Sequence, residues 1–180
     1  MSSQREIRLS GSGGQGLILA GIILAEAALD DGKNACQSQS YGPEARGGAS
    51  KAEVIISNEE IDYPKVRECD MLLALTQVAC DKYIDTLKKD GILIIDNSVQ
   101  KPKRSDVKVV SVPIINTAAE ELHKPMVANI VALGAINRIA DIVSDESLAE
   151  AVLNRVPRGT EELNKKALER GFQLIEKCKD

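Results

Sequence analysis

Glu6-Ile7-Arg8-Leu9-Ser10-Gly11-Ser12-Gly13-Gly14-Gln15-Gly16, followed directly by the apolar run Leu17 to Leu29, is the stretch whose reading decides the fold. Ile7 and Leu9 alternate with polar neighbours at the period of a strand. The glycines then interrupt the chain, and the apolar run reads as a helix. Glu26 is the one charged residue between Leu17 and Leu29, so the helix is apolar on every side. It is shorter than the roughly 20 residues that cross a bilayer. A helix of this kind packs on its own sheet on one side, and the expectation is that another subunit, or a second copy of the chain, covers the rest.

Outward from this unit the rhythm continues. Lys33–Gln39 alternates as a second strand, Ser40–Gly48 forms a loop, and Ala49–Ser57 alternates again, with Ala52, Val54 and Ile56 on the covered face and Lys51 and Glu53 on the other. These two strands are placed to pair antiparallel. Met71–Leu75 and Gly91–Ile95 are short continuous apolar runs separated by a helical stretch, Gln77–Leu87, the pattern of buried parallel strands. Lys108–Val112 adds one more strand, and Thr117-Ala118-Ala119-Glu120 has the side chains of a capping box. Helices follow over Met126–Ile142 and Ser144–Leu153, with a last one opening at Thr160. The fold expected is α/β: one domain over 1–180, three layers, with a mostly parallel, doubly wound, Rossmann-like sheet that includes at least one antiparallel strand.

Composition excludes several functions. The 180 residues carry 23 Lys and Arg against 27 Asp and Glu, a net charge of −4. This balance argues against a nucleic-acid partner, and three Tyr and one Phe are too few for a base-stacking platform. Lys101-Pro102-Lys103-Arg104 reads as a solvated loop. Cys36, Cys69, Cys80 and Cys178 form no CxxC pair, so neither zinc nor iron–sulfur spacing is present. The polar N-terminus does not read as a signal peptide, which makes reduced thiols and a cytoplasmic location the expectation. The single histidine, His123, lies in a polar stretch and reads as a surface residue.

Two loops remain as candidates for chemistry. Gly11, Gly13 and Gly16 satisfy GxGxxG between a strand and a helix, where backbone N–H groups and the helix dipole favour an anion. A dinucleotide site also needs a carboxylate at the end of the second strand, and Gln39 and Ser40 stand there instead. No Lys-Ser or Lys-Thr follows, so the loop is not a P-loop. A tight turn that serves packing alone would need fewer glycines, and Gln15 can present its amide outward. The second loop, Tyr41-Gly42-Pro43-Glu44-Ala45-Arg46-Gly47-Gly48, combines a rigid Pro43 with Glu44 and a guanidinium suited to carboxylate or phosphate. Asn129 is a polar residue in an apolar helix, open to a core hydrogen bond or a neighbour's contact. Loops that follow the first two strands share the carboxyl edge of a doubly wound sheet, so both would form one surface.

These residues, together with Asn129-Ile130-Val131-Ala132-Leu133-Gly134-Ala135, resemble the gamma subunit of the 2-oxoacid:ferredoxin oxidoreductases over essentially the whole chain. Glu44-Ala45-Arg46-Gly47-Gly48-Ala49-Ser50 looks most like the 2-oxoglutarate enzymes. The resemblance implies a complex with alpha, beta and delta subunits that decarboxylates a 2-oxoacid oxidatively to an acyl-coenzyme A and passes electrons to ferredoxin. It implies thiamine diphosphate with Mg2+ and iron–sulfur clusters in the companion subunits, none of them bound by this chain alone. No catalytic residue is expected here. Gly11, Ser12, Gly13, Gly14, Gln15 and Gly16, Tyr41, Gly42, Pro43, Glu44, Arg46, Gly47 and Gly48, and Asn129 are the expected contacts to coenzyme A or to neighbouring subunits. Two alternatives stand beside this reading: a free-standing NAD- or FAD-binding oxidoreductase, and a purely structural subunit whose glycines serve packing.

Overall fold

The computed structural model describes residues 4–40 and 48–177. Six strands form one sheet: β1 (Gln4–Ser12), β2 (Asn34–Gln39), β3 (Ala49–Ser57), β4 (Cys69–Ala74), β5 (Leu87–Asp96) and β6 (Lys108–Val112), in the spatial order β2-β3-β1-β4-β5-β6. β4, β5 and β6 continue from β1 in parallel, whereas β3 runs antiparallel to both β1 and β2. The α/β, mostly parallel reading therefore holds, with β3 as the reversed strand.

α1 (Leu17–Asp30), α4 (Ala128–Ala140), α5 (Asp145–Arg155) and α6 (Glu161–Glu176) contribute to the larger core on one face of the sheet. The other face is covered chiefly by α2 (Gln77–Tyr83) and the segment 58–68, which close a smaller core around Leu72, Cys80, Tyr83 and Leu93. Asymmetry between the faces explains β3, where burial on one face only was expected. Glu53 and Ile55 are buried as well, because β3 is an interior strand and Arg8 of β1 reaches across to Glu53.

α1 is covered by its own chain more completely than its sequence suggested. It packs on β2 and β3 and against α5, and Arg155 of α5 makes an ion pair with Glu26. Ile18 and Ile22 remain half-buried, and Leu29 is 55% exposed, at the spacing of one helix stripe. α4 and α6 cross at Gly134 and Gly171. A Cβ on Gly134 would lie 2.4 Å from the Leu168 carbonyl oxygen, and one on Gly171 would lie 2.2 Å from that of Val131. The two backbones touch, which fixes α4 and with it Asn129.

The capping box does not form. A single turn, α3 (Ile114–Asn116), begins upstream and runs into a π-helical turn over Thr117–Glu121. The Thr117 N–H already donates to the Pro113 carbonyl at 3.0 Å, so the donor that the Glu120 carboxylate would have capped is taken. Its Oγ1 is buried without a hydrogen-bond partner among the described residues.

Candidate functional site

β1 and β2 point the same way, so the chain leaves both at one edge of the sheet, and β3 enters from that edge. Ser12 pairs with Ala49 and Gln39 with Ala52, which brings the glycine turn after β1 and both ends of the second loop, Ser40 and Gly48, to a common rim. Tyr41, Gly42, Pro43, Glu44, Arg46 and Gly47 lie outside the described residues. Gly48 is half-buried just ahead of β3.

The glycine run divides into parts with different duties. Gly11 belongs to β1, buried and paired with Ser50, so it is a strand residue rather than part of the turn. A Cβ there would lie 2.2 Å from Gln15 Oε1. The turn proper is Ser12 to Gly16. Ser12, Gly13 and Gly14 are exposed. Gly14 has φ +86, and a Cβ on it would meet nothing within 4 Å. Gly16 caps α1 with φ +72 and offers no side chain to the helix. In place of an outward-facing amide, Gln15 turns its side-chain oxygen back to accept from the Ser12 N–H at 2.8 Å. This satisfies the strand-end donor that the tight turn would otherwise strand.

Asn129 supports the turn from behind. It is 4% exposed, and its Nδ2 donates to the Gly16 carbonyl at 3.1 Å while its Oδ1 accepts from the Ile130 N–H. A Cβ on Gly16 would lie 2.5 Å from that Nδ2. Asn129, expected as a ligand or subunit contact, therefore acts first as an internal brace, the way a buried amide is normally satisfied.

Two further residues complete the rim. Val78, at the start of α2, is 60% exposed, and Met126, in the turn that leads into α4, is 76% exposed. α2 packs on β1, and α4 reaches Gly16 through Asn129, so both residues belong to elements that adjoin the strand and helix on either side of the turn. In the sequence nothing separated them from apolar residues that begin a buried helix. An exposed glycine turn with no side chain at Gly13 or Gly14 can accept a backbone or a planar group at close range.

The other groups of interest are structural. His123 is exposed at φ +54. Cys36 is half-buried, and Cys69 and Cys80 are buried. Loss of solvation pushes the Cys69 thiol up to about 11, and burial also raises Cys80, so both stay protonated and unreactive. Among the described residues no three His, Cys, Asp or Glu side chains are grouped to hold a metal. No helix there is long and apolar enough to cross a membrane.

Comparison with known proteins places the chain in a family. The family model of pyruvate ferredoxin/flavodoxin oxidoreductase matches residues 6–174. The chain belongs to that family. It is 53% identical over 175 residues to the 2-oxoglutarate synthase subunit KorC of Methanocaldococcus jannaschii, a match that spans 95% of this chain and 94% of the relative. The KorC subunit of Methanothermobacter marburgensis is 48% identical over 180 residues, spanning 96% and 97% of the two chains. Among solved structures, the gamma subunit of the keto/oxoacid ferredoxin oxidoreductase of Geobacter sulfurreducens PCA superposes with a TM-score of 0.89 at 51% identity, over 97% of this chain and 98% of that one. Membership in an oxidoreductase family directs attention to thiamine diphosphate, Mg2+ and iron–sulfur clusters. Among the described residues the donor set does not fit them: the three cysteines are separate, Cys69 and Cys80 are buried, and no three His, Cys, Asp or Glu side chains are grouped for a metal.

Proposed function

We propose that this chain is the gamma subunit of a 2-oxoglutarate:ferredoxin oxidoreductase and carries none of the reaction's bond-making groups itself. In this reading, companion subunits of alpha, beta and delta type hold thiamine diphosphate and the clusters and deliver electrons to ferredoxin. The chain completes the assembly through the sheet edge formed by the two loops, and that edge also contacts coenzyme A. The observation that carries the proposal is the rim itself: an exposed glycine turn, braced by Asn129, beside both ends of the Ser40–Gly48 loop, with exposed apolar Val78 and Met126 on the adjoining elements. Catalytic groups would need convergent titratable side chains, and the glycine turn presents backbone instead.

Two features of the structure weigh against a dinucleotide oxidoreductase. Gly11 is inside β1, so the fingerprint's first glycine is not in the turn. β3 also intervenes between β1 and β2, which puts the end of β2 two strands away, about 10 Å from the turn, where no carboxylate of that strand could reach the same ribose.

Replacing Arg46 by Ala in the reconstituted complex tests the loop directly. The proposal expects a raised apparent KM for coenzyme A or weakened assembly. Unchanged values of both would remove the second loop from the account and leave a subunit whose role is packing alone.

A further inference from the structure

On the face of the sheet opposite α1, a cavity of about 300 Å3 opens over β2 and β3, lined by Ser38, Gln39, Ser40, Lys51, Glu53 and Lys65. Its floor is a charged cluster. Arg8, with a side chain 3% exposed, donates through Nε to Glu53 Oε1 at 2.9 Å, through Nη2 to the Val66 carbonyl at 3.1 Å, and through Nη1 to Thr86 Oγ1. Lys51 Nζ stands 2.8 Å from the same carboxylate oxygen. The Arg8 guanidinium and the Lys51 ammonium both lie over the Tyr83 ring, 5.6 and 5.9 Å from its centroid. The Tyr83 hydroxyl in turn is anchored on the Ala49 carbonyl at 3.3 Å.

The charges of this floor do not balance. Glu53 is one carboxylate shared by two cations, Arg8 and Lys51, and Lys65 contributes a third cation at the wall. Among the described residues the cavity therefore carries an excess of positive charge, in a chain whose net charge is negative. Cations gathered at one pocket repel one another, and a dianion between them relieves that repulsion. The Ser40 hydroxyl lines the same cavity, and the Ser38 hydroxyl, which donates to Glu53 Oε2 at 3.4 Å, lies beside it, so hydroxyl groups accompany the two ammonium groups. Lysine amines with hydroxyl groups beside them suit the three oxygens of a phosphate better than a planar carboxylate, and a phosphomonoester carries about −1.5 to −2 near neutral pH. The volume exceeds that of phosphate alone and leaves room for the group that the phosphate esterifies.

We infer that this cavity binds the terminal phosphate of a phosphomonoester, held by Lys51 and Lys65 and oriented by the side chains at the end of β2. The site lies on the other face of the sheet from α1 and does not depend on the proposed docking of the glycine turn.

The test uses the full chain, with inorganic phosphate and glycerol phosphate as probes. Binding is followed by 31P line broadening at constant ionic strength, with chloride as the compensating anion. Saturable binding in the millimolar range is expected. Lys65 is exposed, so Lys65→Met leaves the fold intact, and it should weaken binding by about tenfold, the scale of losing one charged hydrogen-bond donor. Lys103→Met, on a distant loop, should not alter it. No saturable broadening in the wild-type chain, or wild-type binding by Lys65→Met, would overturn the inference; the latter result would assign the phosphate to another anion site such as the start of α1.

Discussion

Gly14→Ala separates docking from folding. Gly14 is exposed at φ +86, and its Cβ direction is empty to 4 Å. An alanine in the left-handed region costs about 1–2 kcal/mol, of which restriction of the unfolded chain returns about 0.4–1 kcal/mol. The variant should therefore lose between about 0 and 1.6 kcal/mol of stability, a fall in Tm of at most about 6 °C for a chain of this size. A methyl group pressed between the turn and a companion has no such space, and overpacking costs about 1–3 kcal/mol, roughly a five- to 150-fold loss of association. Urea denaturation of the isolated chain measures the first quantity, and titration calorimetry against the companion subunits measures the second. The expected result is a small change in folding and a large one in association. Wild-type association together with the small folding change would refute the assignment of this turn to an interface.

Other expectations follow from the interior. Gly134→Ala should destabilise by about 1–3 kcal/mol in urea titration, although alanine is favoured in helices by about 1 kcal/mol, because the added carbon meets the Leu168 carbonyl oxygen at 2.4 Å; a variant more stable than wild type would show that the α4–α6 contact gives way freely. Glu53→Gln leaves Arg8 buried without its carboxylate and should cost about 3–5 kcal/mol by the same measurement, with a loss under about 1 kcal/mol contradicting the role assigned to the pair. Iodoacetamide on the folded chain at mildly alkaline pH should modify Cys36 well before Cys69 and Cys80, as read by peptide mass mapping; equal rates would contradict the raised thiols. Desolvation acts to raise the Asp31 carboxyl, but hydrogen bonds from Ser147 and Ser144 outweigh it and hold it below its ordinary value. A carboxyl lowered in the folded state stabilises the fold above its unfolded value, near about 3.9, and loses that contribution as pH falls through the folded value; Asp31→Asn should flatten this part of the acid-stability profile.

Local patterns proved legible in the sequence wherever one physical rule governed a segment. Alternation at Ile7 and Leu9 gave β1, and the continuous runs around Leu72 and Ile94 gave buried parallel strands, because burial on both faces selects such runs. What escaped depended on turn and helix-start geometry or on contacts distant in the chain. Thr117 has the side chain of a cap, yet the helix has already begun at Ile114, a consequence of how β6 ends. Gln15 was read outward because its partner, the Ser12 N–H, is freed only by the turn's own geometry. The pairing of Asn129 with Gly16 spans 113 residues and follows from how α4 lies against α6. Val78 and Met126 are written in the same alphabet as core residues, and only the fold shows them uncovered. The cluster of Arg8, Lys51 and Glu53 spreads over two strands, and period-two alternation by itself assigns Glu53 to solvent.

The most direct measurement is 2-oxoglutarate-dependent reduction of ferredoxin, assayed with the chain alone, with the companion subunits alone, and with both combined. The account predicts no turnover by the purified chain, impaired turnover by the companions, and recovery on mixing. Reduction of ferredoxin by the chain alone would contradict it.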